Sequence, residues 1–318
     1  MLAYALRRIG LAIAIILCAV ALLFCLIYIV PGDPTAVALG PLATPEIRAE
    51  FRAHMGLDQP IPIQFLRFLA NLLTGDLGRD VFSERSVALI VAEALPHTAA
   101  LAAMGIGWAI LIGIPLGCWS AMHRNSWLDR LTGILAVAAI AVPSFVVALY
   151  VLLLFAVEFN WLPAIGVGER GHPLDQLTHL VLPSFAIGLG WVGYLARLVR
   201  ASLLEVLGEP YIRTGRAYGV PERRMVFKYA LKNACIPTLA ILGLGIGRLL
   251  GGAIFAEVVF ARPGIGTLIF DAISARNYPI VQAGTFVIVL LFVVTNLVVD
   301  MSYAWIDPRI RSATREPT

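Results

Sequence analysis

The sequence predicts an all-α polytopic membrane protein with six transmembrane helices, both termini cytoplasmic and one large outer loop after the first span. Three observations carry this. Mean hydropathy is +0.86 and only 14% of the 318 residues are charged, whereas a soluble domain carries about a quarter. Six apolar stretches reach the roughly 20 residues that a bilayer core demands, since a backbone in hydrocarbon must satisfy its own polar groups. Finally, Lys and Arg gather in alternate segments between those stretches, so the formal charge of +4 reports topology and gives no sign of nucleic-acid binding.

The six stretches are 9–30, 98–120, 133–157, 179–199, 235–257 and 281–305. Arg7 and Arg8 before the first would also suit a signal peptide, but an apolar run of about 22 residues exceeds the usual h-region, so it reads as a retained span. With the N-terminus inside, segments 1–8, 121–132, 197–234 and 306–318 hold most of the 24 basic residues. The outer basic residues fall mainly in a loop of more than sixty residues, where the positive-inside rule loses force. Cys18, Cys25, Cys118 and Cys235 lie in or beside apolar runs without C-x-x-C spacing and read as buried small hydrophobes.

The chain divides into an N-terminal span (1–30), an outer loop (31–93), the remaining five spans (94–306) and a cytoplasmic tail (307–318). In the outer loop, Thr44 can cap a helix that has Pro45 at its first position, and a second helix follows Pro62 with Phe65, Phe68, Leu69 and Leu72 at helical spacing. This second helix reads first as packed on the spans. In the fifth span, Gly243, Gly247 and Gly251 repeat G-x-x-x-G, the spacing that lets helices approach closely in lipid. Arg248 stands near the middle of that span, where a charge must face protein or water. A place on a translocation path and a structural ion pair with an acid such as Glu257 are both open.

The chemistry of an engine is missing. The phosphate-loop pattern G-x-x-x-x-G-K-[ST] does not occur, and "GVGERG" at 166–171 matches G-x-G-x-x-G without the strand and helix that would make it a dinucleotide site. The five histidines are scattered, and no metal-binding spacing is visible. The chain therefore reads as a non-enzyme that binds no cofactor itself. A self-sufficient secondary transporter or channel is the competing class, yet few ionisable groups lie in the spans and no inverted repeat is visible.

Between spans four and five, residues 202–233 form a polar hairpin around "YIRTGRAYGVPERRMVFKYALKN". Gly219 can end one helix in the left-handed conformation, and Pro221 fits the first position of the next. Its arginines would suit anionic membrane lipid. Interleaved Ile212, Tyr218, Val220, Met225 and Phe227 add apolar surface that favours a knob for a cytoplasmic partner.

The whole chain resembles the permease subunits of type I ATP-binding-cassette importers, in the dipeptide/oligopeptide/nickel branch. The resemblance rests on "LRRIGLAIAI", "PGDP", "MGLDQPIPIQF", "GDLGRD", "ALPHTAALA", the hairpin, "GGAIFAEVVFARPGIG", "RNYPIVQ" and "NLVVDMSYAWIDPRIR" in order. It implies an inner-membrane protein whose hairpin is a coupling helix docking on an ATPase, with Gly219 at the glycine of the EAA motif. Arg213, Thr214 and Gly215 stand in place of its Glu-Ala-Ala triplet. The implied coupling residues across the 205–228 elbow are Glu205, Tyr211, Arg213, Thr214, Gly215, Arg216, Ala217, Gly219, Arg223 and Arg224. Gly243, Gly247, Arg248 and Gly251 are the implied packing or path residues. The implied partners are a second homologous permease, two cytoplasmic ATPases that carry ATP and Mg, and an extracytoplasmic solute-binding protein. Peptides are the expected cargo, with nickel, a metal chelate or glutathione as alternatives within the branch.

Overall fold

A computed structural model describes residues 2–29, 44, 46, 58–169 and 171–306; the surroundings of certain positions inside its helices, Gly243 and Arg248 among them, lie outside the described set. The helix expected from Thr44 and the tail after residue 306 fall largely or wholly outside it too.

The described elements are helical. Helix α1 is Leu2–Ile29 and α2 is Ile61–Thr74. Helix α3, Val87–Met122, passes through a π-turn at Ala109–Gly113. Then come α4 (Trp127–Ala141) and α5 (Ser144–Glu158), the latter ending in π geometry from Leu152. Helix α6 is Pro173–Val206, α7 is Pro210–Ala217 and α8 is Glu222–Arg224. A π-turn at Met225–Ala230 leads into α9, Leu231–Val259; α10 (Ile265–Ser274) and α11 (Tyr278–Ile306) close the chain.

Among the described residues, α1, α3, α6 and α11 are long and apolar enough to cross a membrane. The pair α4 and α5 passes that test only as a unit, because the chain turns by 100° between them. The expected continuous third span, 133–157, is thus corrected to a broken one. The cause is local: Pro143 has no N–H to continue the α4 ladder, and the residue before a proline is driven from helical to extended backbone. Val142 obeys, with φ −80° and ψ 123°.

Helix α6 lies at the centre, touching α3, α4, α5 and α9, while α9 also packs on α10 and α11. Glycines let α6 approach its neighbours. A Cβ on Gly117 would stand 2.6 Å from the Ala196 carbonyl, and one on Gly193 would stand 2.6 Å from that of Ala136. Small residues do in lipid what apolar burial does in water. Helix α1 packs along α11, where Arg8 pairs with Asp300 at 3.1 Å and Gln282 donates to the Leu23 carbonyl at 3.0 Å. Helix α2 sits against α1 through Phe24, whose ring is 5.4 Å from that of Phe65 and 6.0 Å from that of Phe68. Of the four cysteines, Cys118 is buried and Cys235 half-buried. Cys18 and Cys25 are exposed on α1, which corrects their expected burial: among the described residues α1 packs on α11 and α2, and these leave both cysteines uncovered.

Candidate functional site

The elbow begins where α6 runs out. Leu207, Gly208 and Glu209 close tight turns onto Leu203, Glu205 and Val206. Pro210 then starts α7 with its backbone angle already suited to a helix. At the far end Gly219 adopts φ +75°. Its N–H bonds the Arg216 carbonyl at 3.0 Å, and the Val220 N–H bonds that of Gly215 at 3.1 Å. This is a Schellman ending, which requires a left-handed residue at the position Gly219 holds. Pro221 sits one place earlier than expected, as the cap preceding α8. Its φ of −58° and ψ of 139° turn the chain back toward the bundle.

Beneath the elbow lies a dry core. Ile212, Met225, Val226, Ala230 and Ala234 are buried against Cys118 and Ala121 of α3 and Val199 and Leu203 of α6. Gly215 is the position where α7 crosses Met225: a Cβ there would stand 2.3 Å from the methionine methyl group. The glycine that departs from the triplet is therefore matched to a bulky neighbour on the returning π-turn of the elbow. Tyr211 is also tied across, its hydroxyl accepting from Asn233 at 2.9 Å.

The outer surface of the elbow is polar and exposed. Glu205, Arg213, Thr214, Ala217, Arg223 and Arg224 all face out, and Tyr218 is 85% exposed. Arg216 reaches over the turn to Glu222 in a two-pronged pair, at 2.6 and 3.1 Å. The Arg216 guanidinium, through that hydrogen bond, holds the Glu222 carboxyl below its ordinary range, and the same bond pushes the Arg216 value up. Arg213, Arg223 and Arg224 thus share the exposed face with a fourth arginine whose charge is already matched.

A second brace, absent from the sequence reading, joins the elbow's base to α4. Arg200 grips Asp129 at 2.6 and 2.7 Å. Asp129 is buried and also accepts from the Ser120 hydroxyl and, at 3.0 Å, from the Asn125 N–H. The only sequence cue was an acid three residues after Ser126, which caps α4 by accepting from the Asp129 N–H at 3.1 Å.

In α9, Gly247 packs under Phe292 of α11, and a Cβ there would lie 1.8 Å from the ring. Gly245 takes the same role under Trp191 of α6, at 2.7 Å. The Gly251 Cβ position has no described atom within 4 Å. The Glu257 carboxyl considered for Arg248 has other partners. It accepts from Thr98 at 2.6 Å, Gly266 N–H at 2.7 Å and Thr267 N–H at 3.3 Å, so it caps α10 from inside the protein. Arg262, 2% exposed, closes this knot by donating to the carbonyls of Gly166 and His179.

The described residues form a helical bundle with membrane-length apolar helices and a braced, charged elbow at one end. Comparisons with known proteins place that bundle in a family. Residues 113–312 match the binding-protein-dependent transport system inner membrane component family, and residues 1–102 match its N-terminal companion family. The chain belongs to that family: it is a multi-pass inner-membrane permease subunit of an ABC importer. It is 40% identical over 311 residues to the glutathione transport system permease protein GsiC of Pectobacterium atrosepticum, covering 98% of this chain and 99% of that one. The same protein of Salmonella paratyphi A is 39% identical with the same coverage. The dipeptide transport system permease protein DppB of Alkalihalophilus pseudofirmus is 37% identical over 332 residues, 98% of this chain and all of that one. Among solved structures, a chain of the inward-facing MetNI methionine ABC transporter superposes with a TM-score of 0.56, covering 69% of this chain and 97% of that chain. At 16% identity this likeness shows the fold. Family membership sets aside the self-sufficient channel or secondary transporter.

Proposed function

We propose that this chain forms half of the translocation path of an ATP-driven importer of short peptides, glutathione-like tripeptides included. It crosses the membrane six times with both termini in the cytoplasm, counting the broken pair α4 and α5 as one span and α9 as another. A second homologous permease completes the path. Two cytoplasmic ATPases bind ATP and Mg, and an extracytoplasmic solute-binding protein delivers cargo.

The observation that carries this reading is the elbow: a rigid, solvent-facing knob whose fold is fixed from within by Ile212 and Met225 and by the Gly219 ending. An elbow braced in this way transmits displacement instead of absorbing it. Closure of the ATPase pair pushes on α7, and α6 and α9, continuous with the elbow on either side, carry the push into the bilayer. Arg213, Arg223 and Arg224 supply charge for the ATPase surface, Tyr218 supplies an apolar contact, and Arg216 keeps the turn in shape through Glu222. The names of the relatives support peptide cargo.

The test is reconstitution of the whole complex in proteoliposomes with ATP inside and loaded solute-binding protein outside. A dipeptide and glutathione should accumulate; uptake of a nickel chelate alone would overturn the peptide reading. Replacing Gly219 and Tyr218 should depress ATPase capture and transport-coupled hydrolysis together. Unchanged values in both would sink the docking role.

A further inference from the structure

The break between α4 and α5 opens into a cavity of about 610 Å³ between α6, α9 and α11. Helix α4 rises about 22 Å over its 15 residues, less than the roughly 30 Å of a bilayer core, so the break lies inside the membrane. Non-helical backbone at that depth is tolerated where it is covered by protein or lines a cavity, and here it lines one. Two features of the wall have chemical meaning. The ring of Pro143 takes away the donor that would have bonded the Ala139 carbonyl. That carbonyl lies at the cavity wall, 3.3 Å from where a Gly190 Cβ would stand, at the negative end of α4. Trp191, Tyr194 and Phe292 line the same cavity as an aromatic slot, with the Trp191 and Tyr194 rings edge-on at 5.5 Å. Ser144 stands at the mouth of the break.

We infer that this cavity is a cargo subsite: the carbonyl end of α4 takes the ammonium or amide N–H of a short peptide, and the aromatic slot takes its apolar side chain. The chemistry is that of a half-helix site, in which unwound backbone supplies the polar contact and the surrounding helices supply the shape. An aromatic-lined slot discriminates by side-chain size. The permease would therefore add a preference for large apolar side chains to whatever the solute-binding protein selects. This inference rests on the peptide reading given above.

The experiment uses the whole reconstituted complex and solute-binding protein saturated with either Phe-Ala or Ala-Ala. Trp191→Ala, which removes one wall of the slot, and Ser144→Phe, which fills it, should each lower the Phe-Ala to Ala-Ala transport ratio about tenfold. In addition, Ser144→Cys in a background free of other cysteines should be protected from a thiol reagent during Phe-Ala transport, and this one-atom change keeps the test alive if the larger variants do not assemble. Equal losses for both peptides, or a cysteine indifferent to Phe-Ala, would overturn the subsite while leaving peptide transport intact. A wild-type complex that moves neither peptide would overturn the peptide reading and the subsite with it.

Discussion

Two charged regions of this molecule solve opposite problems. In the knot around Glu257, that residue is fully buried and its carboxyl is surrounded by Thr98 and the first N–H groups of α10, with Arg262 nearby. Even the adjoining glycines are fitted to it: a Cβ on Gly264 would fall 2.1 Å from that carboxyl. In the elbow, Arg216 and Glu222 meet with side chains 43% and 53% exposed, and the remaining arginines face solvent. Buried polar groups are costly unless every donor and acceptor is matched. The knot matches its carboxyl in this way and holds α3, α9 and α10 together, while Arg262 Nε and Thr267 Oγ1 stay buried without a protein partner among the described residues. Exposed charges are cheap to keep and cheap to re-pair, which suits the docking role proposed for the elbow.

That contrast can be broken from either side. The largest effect should come from Glu257→Ala, which strands the Thr98 hydroxyl and two N–H groups; a loss of about 3–5 kcal/mol is expected, read as thermal unfolding in detergent. A loss under about 1 kcal/mol would mean the knot is not the fixed structure described here. Arg200→Ala comes next, because it abandons buried Asp129 at the base of the elbow, and about 2–3 kcal/mol should go, with ATPase capture weakened. Gly219→Val forces a β-branched residue to φ +75° and should cost about 1–3 kcal/mol locally while uncoupling ATP hydrolysis from transport.

The smallest change in stability should follow Arg216→Ala, at most about 1 kcal/mol, since the pair is exposed. Its pH dependence has a defined sign. Glu222 titrates lower in the folded protein than its ordinary 4.5, so the pair's contribution is complete above that value and is lost as pH falls through the lowered one. Removing Arg216 should flatten the acid limb of the stability curve; an unchanged limb would show that the pair adds nothing.

Much of this was legible in the chain. Apolar runs announced α1, α3, α6 and α11, because hydrocarbon leaves backbone no other partner. Gly219 and Pro221 announced the elbow, because turn chemistry is local and only certain residues permit it. Helix α2 was readable from its Phe spacing, and Phe24 supplies the packing expected for it. The corrections came where a nearby residue outweighed a regional average. Pro143 broke a stretch whose hydropathy read as one span, and the described neighbours of α1 leave Cys18 and Cys25 exposed.

Composition, periodicity and turn residues by themselves determined that this is a helical membrane protein with a charged, glycine-hinged elbow and no phosphate loop. Only the tertiary structure decided which charges are shared inside the chain and which are left for partners. Asp129 finds Arg200 across 71 positions, and Glu257 finds Thr98 across 159. Such partners are chosen by helix packing, and packing depends on where Gly117, Gly193 and Gly247 allow two backbones or a ring to meet. Local residue types fix each segment's conformation, but a contact between distant segments exists only once all of them are in place.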